Sequence, residues 1–536
     1  MHRVKGILTS CDSFRAPTIL KTFIKMEKMY RIKSKSNCEG AEQLRVKQIR
    51  EMIEMDSIWS QTVQIPERKA LTTEEMADVA VIGAGIAGLL TAYYLQKEGK
   101  KVVVLEADRI AGGQTKNTTA KITSQHGMIY SSLIENYGEE KARLYAGANE
   151  MAIKEYEELI KKEQIDCHFE RLSSYLYSTE DADKLKKEAK AAASLGIKSY
   201  FTQENALPFK TVGAVCFEEQ AQFHPLEFVK RLAEALIIYE KTRVLKVKGH
   251  CIETNRGKVF AKYIVFTTHY PFPNVPGLYF ARQHQERSYV LALSGIPKWE
   301  GMYYSADENG ISFRWFHDIL LFGGGGHRTG KTAKECGYAF LRKKAEEYYP
   351  QCKEITCWSA QDCITHDDLP FIGEFSMIRP YWYVATGLKK WGMTGAMIAA
   401  KIICDRICGR KNPYEALFTP KRLHLGNSCG KLLKDIGISV EGLAKGHFHI
   451  PFRKLDKLPA GEGKIVRIGL KRYGVYKDEQ GRIYKISVKC PHLGCELAWN
   501  DAEKTWDCPC HGSRFHYDGE LIDNPAQMGT MGNMEE

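Results

Sequence analysis

No stretch of this 536-residue sequence stays apolar for the roughly 18 residues that a membrane-spanning helix needs, so no transmembrane segment is expected. No secretory leader is expected either, because Thr9, Ser10, Asp12, Ser13 and Arg15 interrupt any apolar core near the start. Without a leader, and in so long a chain, the 16 cysteines do not read as the scaffold of a small secreted domain. A cytoplasmic protein is expected, with most thiols serving as small buried hydrophobes. Internal repeats and low-complexity tracts are absent. There is also no concentrated block of one charge: of the net +12, residues 1–54 supply 6 (12 Lys/Arg against 6 Asp/Glu) and the other 6 are diffuse, so no nucleic-acid partner is expected. What remains is the balance of a globular protein, 44% apolar and 26% charged, in a chain long enough for roughly three or four structural units.

Residues 1–54 form a basic extension without sustained periodicity, and the text from Met55 looks like a natural start. A strand at Asp78–Gly83, a Gly-rich turn, a helix and a second strand then make a βαβ unit. Charged, Ala- and Leu-rich runs at 138–164 and 180–195 predict helices. Strands are predicted at Gly213–Phe217, Arg243–Val247, Tyr263–Thr267, Ser312–Trp315, Ile319–Phe322 and Tyr381–Thr386. Further helices are predicted at 225–238, 333–348 and from Gly392 to Cys408. A linker is read over 411–450, and short strands with tight turns over 451–527.

The most specific pattern is Cys490-Pro-His492-Leu-Gly-Cys495 followed, after a gap of 15 residues beyond His492, by Cys508-Pro-Cys510-His511-Gly-Ser513. Two loops that each supply one Cys and one His suit a [2Fe–2S] centre with thiolates on one iron and imidazoles on the other. Zinc also accepts two Cys and two His, but the mixed order and the two extra cysteines favour the cluster. The last 75 or so residues resemble the Rieske family. That resemblance implies Cys490, His492, Cys508 and His511 as iron ligands and a disulfide between Cys495 and Cys510. Where high-potential members carry a sulfur-directed Tyr, this chain has Phe515, while Ser513 is kept, so a lower potential is expected. Asn524-Pro525-Ala526 resembles the family's covering loop. The Met/Gly-rich tail beyond it implies a missing final strand, leaving the cluster more exposed or the fold dependent on a neighbour.

Gly83-Ala-Gly85-Ile-Ala-Gly88 follows the apolar strand Val79–Ile82 and opens a helix, and Glu106 closes the strand Val102–Leu105. Gly83 makes the turn, Gly85 lets backbone approach a pyrophosphate, Gly88 permits close packing, and Glu106 is placed to bind ribose hydroxyls. Segment 106–113, with Asn117-Thr118-Thr119-Ala-Lys121-Ile-Thr123, resembles the flavin-reaching stretch of the D-amino-acid, glycine and sarcosine oxidase family. Asp368-Leu-Pro-Phe-Ile-Gly373, and Gly387 through Gly392, Met393 and Thr394, resemble its C-terminal flavin motif. The resemblance spans about 77–410 and implies FAD. It also implies a Rossmann-like, glutathione-reductase-type α/β FAD-binding domain (parts 77–165, 220–270 and 360–410) interleaved with an α+β substrate domain (166–219 and 271–359), ahead of the all-β Rieske domain.

Arg314 and His327 are the candidate catalytic residues, with Lys121 and Arg282 as further candidates; Gly323–Gly326 would let backbone approach flavin or substrate. Family members acting on amino acids tend to place an Arg just before the Asp-x-x-Pro motif, whereas this chain reads Trp358-Ser-Ala-Gln361-Asp362-Cys363. His447 and His449 are read as solvated linker residues, and Cys404 and Cys408 as packing. The combination implies an FAD-dependent oxidoreductase acting on a small amine, amino-acid-like or hydroxy substrate. Electrons would pass from flavin to the Rieske cluster and on to a protein or quinone acceptor; reverse flow, or a redox-sensing role without turnover, are the alternatives.

Overall fold

The computed structural model describes residues 55–331, 337–422, 437, 458–469 and 471–530. The extension 1–54, both linker histidines and most of 411–450 lie outside them.

The strands Glu75–Ile82 and Val102–Leu105 end in continuous apolar runs, VAVI and VVVL, buried throughout. Such runs suit a parallel sheet covered on both faces. They pair in parallel with each other, and the sheet continues as Phe371–Glu374, Trp382–Thr386, Lys258–Phe266, Glu75–Ile82, Val102–Leu105, Ile237–Tyr239. The hairpin Val244–Lys248/Cys251–Thr254 is added along Lys258–Phe266. Two helices that are apolar nearly all round, Ile86–Lys97 and Gly392–Ile407, pack together over this sheet. The helix predicted at 225–238 stops at Glu234. Ile237-Ile-Tyr239 is β-branched and aromatic and instead pairs with Val103–Leu105, where packing outweighs helix continuation.

The second sheet has nine strands, and its path runs Lys353–Thr365, Gln283–Ser294, Ile319–Arg328, Ser312–Phe316, Met302–Ser305, Glu170–Ser178, Gly213–Gln222, Lys121–Ile122. It reaches Thr365, so a division near residue 360 falls inside a strand, and it recruits Lys121–Ile122 from the first segment. Gly323–Gly326 lie within the strand Ile319–Arg328. A Cβ on Gly325 would sit 2.9 Å from Gly337 N, so that glycine serves close approach of strand and helix. Residues 411–422 are not a free linker: Leu417 and Phe418 are buried, and Arg422 is ion-paired with Asp367 at 2.6 Å.

The C-terminal part forms a three-stranded sheet (Gly463–Ile468, Lys471–Lys477, Ile483–Ser487) and a four-stranded one (Ala498–Asn500, Thr505–Asp507, Arg514–His516, Leu521–Asp523). After the last strand the chain turns back, and Ser487 N–H donates to the Thr530 carbonyl at 3.2 Å. Among the described residues no helix is long and apolar enough to cross a membrane.

Candidate functional site: a flavin cavity against a two-loop cluster site

The carboxyl ends of the central parallel strands open on a cavity of about 320 Å³ lined by Gly83, Gly85, Glu106, Gly113 and Thr118. This is the crevice where open α/β sheets take dinucleotides. Gly83 has φ +105°, and its Cβ would lie 2.7 Å from the Thr267 carbonyl; a Cβ on Gly88 would lie 2.0 Å from the Gly83 carbonyl. Beside Gly85 only Thr115 Oγ1 is near, at 3.2 Å, so this backbone is bare toward the cavity, as a pyrophosphate requires. Glu106 accepts N–H bonds from Ala84 at 2.8 Å and Asp108 at 2.9 Å, which aims it into the cavity while burial pushes its carboxyl upward. These residues fit the nucleotide part of FAD.

Gly392 and Met393 line the cavity further along, beside Ala360, Asp362 and Lys390. Asp362 sits directly across the strands from Glu286. Burial pushes its carboxyl up to about 7 against the pull of Lys390, and its hydrogen bond from Ser288 Oγ is long, 3.5 Å. A hydrogen bond with His284 holds Glu286 down to about 2.

The ligand loops of the C-terminal domain stand on tight turns: Gly494 N–H donates to Cys490 O at 2.9 Å, and Gly512 N–H to Cys508 O at 3.0 Å. The two thiols adjoin and are buried; the neighbouring Cys508 thiol and the N–H groups of His492 and Leu493 hold Cys490 down to about 7. The imidazoles of His492 and His511 meet edge to face with centroids 4.9 Å apart. His492 Nδ1 is buried without a hydrogen-bond partner, as a ligating nitrogen should be. Two sulfurs and two ring nitrogens therefore converge in a set that fits an iron pair. Cys495 and Cys510 are disulfide-bonded with Cα atoms 6.6 Å apart. Ser513 Oγ lies within hydrogen-bonding reach of Cys490, and Phe515 is fully buried with no donor to offer.

The sequence profile of FAD dependent oxidoreductases matches residues 78–406, and that of the Rieske [2Fe-2S] domain matches 449–531. The chain belongs to the FAD-dependent oxidoreductase family, with a C-terminal Rieske domain. A putative Rieske 2Fe-2S iron-sulfur protein YhfW of Bacillus subtilis is 38% identical over 88% of this chain and 96% of its own length. The gamma-glutamylputrescine oxidoreductase of Escherichia coli is 23% identical over 63% of this chain and 85% of its own. In fold, the flavoprotein part is similar to glycine oxidase from Geobacillus kaustophilus, with a TM-score of 0.56 and 19% identity over 65% of this chain and all of that one.

As a family member the chain takes FAD and a [2Fe–2S] cluster, and several candidate side chains lie away from the cavity. Thr119, Gly387 and Thr394 are not among the cavity-lining residues. A Cβ on Gly387 would meet Thr365 Cγ2 at 2.3 Å, so this glycine serves packing. Thr394 Oγ1 lies 3.3 Å from His126 Nε2. Arg314 is buried away from the cavity, donating to Gln222 Oε1 at 2.8 Å and to the Thr119 and Phe223 carbonyls, with its guanidinium over the Trp59 ring. Its donors are spent on the end of the strand Gly213–Gln222 and on the segment leading into Lys121–Ile122. His327 bonds Tyr289 OH at 2.9 Å and the Arg328 carbonyl at 2.9 Å, also outside the cavity. Lys121 is bonded to Ser312 and driven down to about 7 by burial. Arg282 lies over the Phe371 ring and donates to the Pro420 carbonyl at 2.8 Å.

Sequence reasoning missed the interface itself. Gln285 Nε2 donates to the His511 carbonyl at 2.7 Å, and Gln361 Nε2 donates to the Gly512 carbonyl at 2.9 Å and to Gln285 Oε1 at 2.8 Å. The His492 Nε2–H donates to Asn274 Oδ1 at 2.7 Å. Arg287 pairs with Glu503, which Arg514 also reaches at 3.1 Å; all three side chains are buried. No motif announces two glutamines on neighbouring strands, and only the pairing of Gln283–Ser294 with Lys353–Thr365 brings them together.

Proposed function

We propose that this protein is a dehydrogenase: it oxidises a small amine, and the electrons leave FAD for the Rieske cluster and then an external one-electron acceptor, a protein or a quinone. Bound FAD supplies the two-electron chemistry and the cluster supplies one-electron transfer. The observation that carries the reading is the glutamine clamp: Gln361, between the cavity-lining Ala360 and Asp362, and Gln285 on the adjoining strand bond directly to the carbonyls of Gly512 and His511 in a cluster-ligand loop. The clamp holds the cluster loop against the flavin domain and shortens the path between the two cofactors.

The amine preference rests on charge. Where family members acting on amino acids tend to carry an Arg, the carboxylate of Asp362 faces the cavity, with Glu286 across the strands. A carboxylate facing the cavity with only a long hydrogen bond from Ser288 attracts a cation and repels a substrate carboxylate. The Escherichia coli relative, whose name describes an oxidoreductase of gamma-glutamylputrescine, supports the same class. The test is anaerobic rapid mixing of the holoprotein with a panel of amines, amino acids and hydroxy acids. Flavin bleaching followed by cluster reduction with an amine is the expected result. Bleaching with the cluster left oxidised removes the relay, and bleaching by hydroxy acids alone removes the amine reading.

A further inference from the structure

The cavity that takes FAD is not built by the flavin domain alone. Leu521, Ile522, Asp523, Asn524 and Gln527, all in the Rieske domain, form part of its wall. This short segment is fastened to the flavin domain along its length. Asp523 accepts from Gln114 Nε2 at 3.2 Å, just after Gly113, whose backbone is bare. Asn524 Nδ2 donates to the carbonyls of Thr268 at 2.7 Å and Tyr270 at 2.8 Å, at the end of the strand whose Thr267 packs on Gly83. The Asn524 carbonyl receives Gln285 Nε2 at 3.0 Å, the same amide that grips the His511 carbonyl.

The opposite side of the segment serves the cluster. Pro525 and Ala526 are buried, and Ala526 N–H donates to Ser513 Oγ at 3.0 Å, the hydroxyl that reaches Cys490. Asp523 also accepts from Arg514 at 3.1 Å, one residue beyond Ser513. Seven consecutive residues therefore touch the flavin cavity at one surface and the cluster's ligand loop at the other, with one hydroxyl between Ala526 and a ligand sulfur.

We propose that Leu521–Gln527 is a shared wall, in which Ile522 and Gln527 contact bound FAD while Ala526 and Ser513 brace the ligand loop. FAD affinity is then set partly by the Rieske domain, and the cluster's electronic signature responds to whether FAD is present. The inference holds whichever way electrons run, and it needs no substrate.

The experiment uses the full-length chain with its cluster loaded. FAD is removed and titrated back into the unmutated protein and the I522A/Q527A double variant, with flavin fluorescence as the readout and the low-g paramagnetic signal of the reduced cluster recorded in parallel. The wall predicts that the variant, with its cluster signal at full amplitude, binds FAD about tenfold more weakly. An affinity within twofold of the unmutated chain, with the cluster intact, overturns it. Should the variant fail to keep its cluster, the unmutated protein decides alone. Its reduced-cluster g values are expected to shift on FAD removal and to return on readdition, and identical spectra in both states overturn the proposal. Failure of the unmutated chain to bind FAD at all would instead count against the flavin site itself.

Discussion

The two prosthetic-group sites are built in opposite ways. All four candidate iron ligands, the disulfide and Ser513 come from residues 490–513, on turns closed by bonds within each loop. The flavin cavity draws on residues near 83, 106, 118, 268, 360, 390 and 523, which meet only because the carboxyl ends of the parallel strands lie against the second sheet and the C-terminal domain. A local site is defined by the chemistry of its ligands, whereas a dispersed one is defined by topology and tolerates change at any single contact. Removing one residue should therefore be fatal at the first site and graded at the second.

The largest effect is expected from Cys508→Ser. Loss of one of two thiolates should abolish the low-g signal while the yellow chromophore stays, and a retained cluster signal would break the contrast. Next comes Arg287→Ala, which leaves Glu503 at the seam with Arg514 as its remaining cationic partner. A loss of about 3 kcal/mol on urea unfolding is expected, since breaking a buried pair strands a charge; a change under about 1 kcal/mol would show that the seam contributes little.

A smaller effect concerns pH. Burial pushes the Asp362 carboxyl up to about 7, so the cation-binding form appears only as pH rises through that value. Amine-driven flavin bleaching should strengthen across it, and D362N should flatten the profile and weaken amine binding about tenfold, worth roughly 1.4 kcal/mol. A profile unchanged in D362N would remove Asp362 from substrate recognition. For stability the sign reverses: the folded value lies above the unfolded one of about 4, so ionising this group costs stability as pH climbs from there toward 7. The smallest effect is Phe515→Tyr. A hydroxyl directed at a ligand sulfur withdraws electron density, and a hydrogen bond of about 1 kcal/mol corresponds to a rise of roughly 40 mV in the cluster potential; no rise in a redox titration would show that position 515 does not face sulfur.

The same contrast explains what was legible in the sequence. The meeting of Cys490, His492, Cys508 and His511 on two adjoining loops could be read because their spacing itself sets the arrangement. Gly83, Gly85 and Glu106 were legible because turn, pyrophosphate approach and ribose contact belong to one βαβ unit. Arg314 and His327 were not. An Arg on a strand looks identical in sequence whether it faces a cavity or spends its donors on the Thr119 and Phe223 carbonyls. Gly323–Gly326 suggested a ligand approach, but the steric need at Gly325 comes from Gly337 on a helix that follows. The covering loop was legible as a resemblance. Its second face, against the flavin cavity, depends on domain docking that no local pattern encodes.

The central claim is that the two cofactors exchange electrons within one chain, and flash photoreduction of the flavin in substrate-free holoprotein tests it most directly. The account predicts that flavin reoxidation and cluster reduction share one first-order rate that does not vary with protein concentration. A cluster that stays oxidised, or a rate that rises in proportion to protein concentration, would contradict it.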